Sequence, residues 1–149
     1  MKRSEIKNIL KSVKRANLQI QTYSEEIQRL NSIATKCTPV YSQVPGGGGF
    51  SNDKLPNAVE KIIAAEKELL QAAADYADLH RQAHALINLV ESPEHKTLLN
   101  KRYMNFEKWE KIADDMAYSL QHIFYLHGQA LDMLVKATKE KDKEKDKSK

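Results

Sequence analysis

The chain is poor in residues that would cross-link it or carry it through a bilayer. Its 149 residues include one cysteine, Cys37. No internal disulfide can therefore form, and nothing in the composition calls for an oxidising compartment. No apolar run approaches the roughly 20 residues that a spanning helix needs. The opening Met1-Lys2-Arg3-Ser4-Glu5-Ile6 leads into an amphipathic pattern rather than an apolar stretch, so no signal peptide is expected. These absences lead to the expectation of a soluble, cytoplasmic protein without membrane contact. There is also no nucleophile set beside a base, no carboxylate pair in an apolar setting and no cofactor motif, so neither an enzyme nor a cofactor is expected.

What is present is heptad spacing. From Ile6 one series runs Ile6, Val13, Ile20, Ile27, Ala34, and a second runs Ile9, Ala16, Tyr23, Leu30, Cys37. The two are offset by three, which is an a/d seam, and no proline or glycine interrupts it before Pro39. A helix over this stretch is about 46 Å long, too long and too narrowly striped to lie on a small globule, so it requires a partner helix. A second seam pairs Ile62, Leu69, Tyr76, Ala83, Val90 with Ala58, Ala65, Ala72, Leu79, Leu86. Its alanine-rich series permits close helix approach. Two such helices can fold as an antiparallel αα-hairpin over residues 1–91, or pair between chains.

The connection, residues 38–56, holds three of the four prolines and four consecutive glycines, which forbids a helix there. It is not a phosphate loop: no strand precedes it and no Gly-Lys-Ser/Thr follows. It is expected to be a flexible turn, although a long one. His80 and His84 share a helical face, but there is no His-Glu-x-x-His pattern and no evident third ligand, so solvated histidines are expected rather than a metal site. Cys37 reads as a small hydrophobe ending the seam.

Ser92-Pro93 starts a new segment, residues 92–137, with Ser as N-cap and Pro at the first helical position. Leu98, Leu99 and Tyr103 share one side, and a break follows near Asn105-Phe106. Two short helices come next, Trp109 to Met116 and a second opening at the cap Ser119. Ala113 supplies the small residue their crossing needs, and Ile112, Met116, Tyr118, Ile123 and Leu126 supply a shared core. That set fits a helix-turn-helix. Residues 138–149 alternate charge with no apolar side chain beyond Thr138, and are expected to form a disordered tail or a frayed extension of the last helix. The predicted fold class is all-α: a long heptad hairpin followed by a helix-turn-helix bundle.

Arg102-Tyr103, Trp109-Glu110-Lys111-Ile112-Ala113, Tyr118-Ser119 and Leu126-His127-Gly128-Gln129-Ala130-Leu131 together resemble the sigma-factor region-4-like helix-turn-helix. More narrowly, they resemble small phage and prophage late-gene transcription regulators related to RinA and ArpU. The segments Ala34-Thr35-Lys36-Cys37-Thr38-Pro39, Tyr41-Ser42, Pro45-Gly46-Gly47-Gly48, Asp53-Lys54 and Ala58-Val59-Glu60-Lys61-Ile62-Ile63 are similar to that family's inter-helix region. The resemblance covers about Ile6 to Leu134. It implies a phage-encoded DNA-binding regulator of late genes in a bacterial cytoplasm, with double-stranded DNA and RNA polymerase as partners. The chain departs from the family pattern in three places. Phe106 and Lys108 stand where the family has Gly and a Thr cap, Ala117 stands at a glycine of the turn, and Tyr125 and Gln129 stand where arginines are usual.

Ser119 to Leu131 contains no charged residue. Base reading would fall to Ser119, Gln121, His122, Tyr125 and Gln129, since Gln can pair with adenine. Phosphate attraction would fall to Lys101, Arg102, Lys108 and Lys111, with Lys96 and the basic tail as further sources. The net charge is +4, with excess positive charge in residues 1–36 and 136–149, compatible with a polyanionic partner. Leu120, Phe124 and Tyr125, if outward, would instead suit a protein partner, which gives the competing expectation of a phage assembly or packaging component. Self-association through the heptad helices would place several reading helices on repeated half-sites.

Overall fold

The computed structural model describes residues 1–37 and 54–149, and all regular structure in them is helical. Helix α1 spans Arg3–Cys37, α2 Lys54–Ile87, α3 Pro93–Leu99, α4 Trp109–Met116 and α5 Leu120–Lys147. A π-helical turn, Asn100–Met104, extends α3. The glycine-rich connection lies largely outside the described residues. Helix α2 begins earlier than the sequence suggests, at Lys54, because Pro56 falls in its first turn, where the missing N–H had no helical partner to lose.

The chain forms two compact units: Met1–Ala16 with Tyr76–Lys149, and Asn17–Asp75. Each long helix contributes to both, and within each unit the early part of α1 or α2 meets the late part of the other. The pairing is therefore antiparallel. In the Asn17–Asp75 unit the alanine series forms the contact: Ala58, Ala65 and Ala72 are buried. Ile20, Tyr23, Ile27, Leu30, Ile62 and Leu69 are only half-buried, as two helices alone cannot enclose a seam.

The other unit corrects the expected boundary between residues 91 and 92. Its core joins Ile6, Leu10 and Val13 of α1 to Ala83, Leu86, Ile87 and Val90, and to Leu98, Leu99, Tyr103, Ile112, Ile123, Leu126, Leu131 and Leu134. Two short helices and one face of α5 have too little apolar surface to close a core by themselves, and the ends of the hairpin complete it. Leu10 and Ile87 are fully buried although both lie off the heptad seams, because here each long helix faces several neighbours rather than one.

The short helices follow their sequence signals. Ser92 precedes Pro93 at the first position of α3. Ser119 caps α5 by accepting from the His122 amide at 3.1 Å. Ile112, Ala113, Ile123 and Leu126 are buried between α4 and α5 as expected. Tyr118 is not part of that core. It is 39% exposed, its hydroxyl donates to Glu94, and its ring lies against His122. Helix α5 does not stop at the charged tail but runs to Lys147. Thr138, buried, donates to the Leu134 carbonyl and carries the helix past the core. Beyond it the tail is rich in Lys and Glu, which are good helix formers.

Among the described residues two that are not glycine have left-handed backbones, Phe106 and Ala117, both at φ 57°. Ala117 ends α4 with its N–H bonded to the Asp114 carbonyl, and the Tyr118 N–H reaches the Ala113 carbonyl, so the turn closes as a Schellman-type cap. A side chain at φ > 0 costs about 1 kcal/mol. The Ala117→Gly variant is therefore expected to be more stable by about 1 kcal/mol, measured as a raised Tm or urea midpoint. An unchanged or lowered midpoint would mean that the turn is not held in this conformation.

Candidate nucleic-acid interface

The crossing of α4 and α5 sets the candidate surface. With Ile123, Leu126 and Ala130 buried inward, α5 turns Gln121, Phe124, Tyr125 and Gly128 outward at i, i+3, i+4 and i+7. Tyr125 is 60% and Phe124 48% exposed. Gln121 is exposed, with no hydrogen-bond partner among the described residues. His122 is half-buried between the rings of Tyr118 and Tyr125. Ser119 serves as the helix cap.

Gln129 behaves differently from the expectation of a base-reading residue. Its Nε2 donates to the Tyr125 hydroxyl at 2.9 Å, and its Oε1 lies 3.0 Å from Nε2 of the buried His95. His95 Nδ1 in turn shares a 2.7 Å hydrogen bond with Ser92. Both ends of the Gln129 amide are thus engaged, and its role is to tie α3 to α5.

The cations of the motif are also committed. Lys101 lies 3.1 Å from Asp115 and 3.5 Å from Glu107, and Lys111 lies 3.0 Å and 2.8 Å from the same two carboxylates. Two lysines and two carboxylates thus form a closed network joining the π-turn to α4. The hydrogen bonds from Lys111 are the main reason that the Glu107 and Asp115 carboxyls titrate below their usual range, and the Lys111 ammonium is raised by the same contacts. Arg102 donates to the Glu107 carbonyl at 2.9 Å, and its guanidinium lies 4.4 Å from the Trp109 ring centroid. Of the four cations expected to contact phosphate, only Lys108 is fully exposed and free of an ion pair among the described residues.

Sequence reasoning missed an aromatic cluster beneath this surface. Trp109 meets both Phe124 and His127 edge to face, with ring centroids 5.3 Å and 4.8 Å away. His127 Nε2 shares a 2.7 Å hydrogen bond with the Tyr103 hydroxyl. Burial is the main cause lowering the His127 pKa to about 4, and Lys7, Arg3, Arg102 and Lys11 push it the same way. The presence of Trp, His and Tyr in the family-like motif was the available signal. The contribution of α1 was not visible in it.

His80 and His84 stack on each other with ring centroids 6.2 Å apart, and among the described residues no group of three potential ligands forms around them or elsewhere. No helix among the described residues is long and apolar enough to cross a membrane. Compared with protein-family models, curated proteins and solved structures, the chain has no match in any of the three.

A histidine held below its ordinary 6.5 opposes folding as it protonates. The unfolded chain takes up this proton first, so His127 lowers stability progressively as pH falls from about 6.5 towards 4. Glu107 and Asp115, held below their ordinary 4.5 and 3.8, lose their contribution as pH falls through those values, and so act mainly below pH 5. Urea midpoints measured from pH 7 to pH 5 should therefore fall, and His127→Gln should flatten that decline. The same slope in the variant would remove His127 as its source.

Proposed function

We propose that this protein is a DNA-binding transcriptional regulator of the phage late-gene type, reading duplex DNA with the outward face of α5. The observation that carries this is the α4–turn–α5 unit itself. It has a buried Ile112–Ala113–Ile123–Leu126 contact, a left-handed Ala117 in the turn, a capped second helix and an uncharged outer face with an unpartnered Gln121. Gln121 is the residue best placed for an adenine edge, and Tyr125, fixed by Gln129, offers its ring beside it. On this reading the protein acts in a bacterial cytoplasm and works with RNA polymerase.

A second reading is favoured by the exposure of Leu120, Phe124 and Tyr125, which form an apolar strip better matched to a protein groove than to phosphate. On that reading the molecule is an assembly or packaging component. Selection of duplexes from a randomised pool, followed by anisotropy titration, separates the two. A regulator gives enrichment of one motif and sub-micromolar binding that Gln121→Ala weakens by about 10-fold, the value of one good base contact. Absence of any enriched motif would turn the search to a protein partner for Phe124.

We further propose self-association through the Asn17–Asp75 unit. Its α2 carries a second apolar stripe, Val59, Ile63 and Leu70, at 44%, 49% and 72% exposure and on a different face from the buried alanines. A second hairpin packed there would enclose both stripe and seam. Sedimentation equilibrium is expected to give a dimer or larger species that Ile63→Glu/Leu70→Glu converts to monomer. A wild-type monomer at high concentration would exclude it.

A further inference from the structure

The helix-turn-helix has spent all but one of the cations expected to contact phosphate, Lys108 being the exception. Lys101 and Lys111 neutralise Glu107 and Asp115, and Arg102 is stacked on Trp109. Duplex binding nevertheless requires phosphate neutralisation. Lys108 alone is little for a duplex, and a denser group of positive charge in this unit lies in the first turns of α1. Arg3, Lys7, Lys11, Lys14 and Arg15 stand at spacings that bring them within roughly a third of the helix circumference. Of these, only Arg3 makes an ion pair among the described residues, a 3.3 Å contact with the well-exposed Asp132. In a surface pair of this kind the attraction is slight.

The position of this stripe gives it meaning. Arg3 reaches α5 on its outward face: beyond Asp132, its guanidinium covers Gly128, where an added Cβ would lie 3.3 Å from the Arg3 nitrogen. Gly128 and Asp132 continue the row of Gln121, Phe124 and Tyr125. Lys7 and Lys11 follow Arg3 at one and two further turns, and their field is felt at His127. The basic face of α1 therefore borders the C-terminal half of the reading face, as a backbone-gripping surface should.

We propose that the phosphates of a bound duplex are held by this α1 face, with Lys7, Lys11 and Lys14 as principal contacts, rather than by the cations of the helix-turn-helix. The inference rests on the DNA-binding reading and assigns to α1 the sequence-independent part of that binding. The Asn17–Asp75 unit and the tail have no part in it.

The test uses the full chain and a labelled random-sequence duplex, with affinity measured by anisotropy across a salt series. Each phosphate contact contributes about −0.9 to the slope of log K against log salt. Lys7→Ala/Lys11→Ala/Lys14→Ala is expected to reduce the slope by about 2 to 3, so that a fourfold rise in salt costs roughly 40-fold less affinity than in wild type. A variant of equal charge loss in the tail, Lys139→Ala/Lys141→Ala/Lys143→Ala, should leave the slope near the wild-type value. A second readout is the His127 imidazole by NMR, which is expected to titrate higher in the α1 variant and also when DNA is added to wild type. Far-UV circular dichroism checks that the variants remain helical. An unchanged slope in the α1 variant, or an equal loss in both variants, overturns the α1 assignment. If a selected duplex is still discriminated in that case, the DNA-binding reading stands without it. Failure of the wild type to bind either random or selected duplexes overturns both.

Discussion

The structure depends on three side chains near the beginning of the chain. Ile6, Leu10 and Val13 are fully buried, and they are buried among residues that follow them by seventy positions or more. Without them the core that α3, α4 and α5 share would be open on one side. The contact also explains why α2 and α3 are joined so tightly. Leu89 and Val90 turn directly after Ile87, their amides bonded to Leu86 and Ile87, so that the second long helix delivers the chain into the core that the first has already entered.

This packing constrains the charges. Because α1 covers one flank of α5, cations near the motif divide into two populations with different chemistry. Lys101 and Lys111 sit where the π-turn and α4 bring them against Glu107 and Asp115, and they serve to lock those elements together. The cations of α1 are held on a long helix where, among the described residues, only Arg3 has a carboxylate partner, Asp132. Two sets of residues alike in the sequence thus differ in what they can offer a polyanion, and the difference arises from the partner each backbone element was given. The neutral His127 between them follows from the same arrangement. It is enclosed by Trp109 and Tyr103 and overlooked by positive charge, so its imidazole stays unprotonated.

Much of the fold was legible in the sequence because it was periodic or locally signalled. The alanine series 58, 65, 72 reads as a contact by spacing alone, and it is one. The helix starts at Ser92 and Ser119, and the buried Ile112, Ala113, Ile123 and Leu126, follow from short-range rules, although only Ser119 caps with its side chain, that of Ser92 turning to His95 instead. Leu10 and Ile87 were not legible because a heptad describes a helix with one neighbour. Tyr118 was misplaced because its partner, Glu94, belongs to another helix. The same limit applies to the candidate site. Gln121 and Tyr125 are outward as helical phase requires, whereas the ties of Gln129 to His95 and of Lys101 to Asp115 span distances in sequence that no local pattern encodes. Of the two expectations for the tail, disorder or an extension of the last helix, the structure has the helix, since one already anchored at Thr138 needs only side chains that tolerate its continuation.

The alanine contact has a further consequence. Buried alanines recurring at intervals of seven make the Asn17–Asp75 unit a ladder of interchangeable rungs. Removing one heptad from α1 and the matching heptad from α2 would shorten each helix by about 10.5 Å and leave every remaining alanine facing as before. Nothing in the core around Ile6 and Leu131 would register the loss. Hairpin length is therefore a quantity that can drift in whole steps while the C-terminal fold stays constant, and relatives of this chain could differ widely in size yet keep the same α4–α5 crossing.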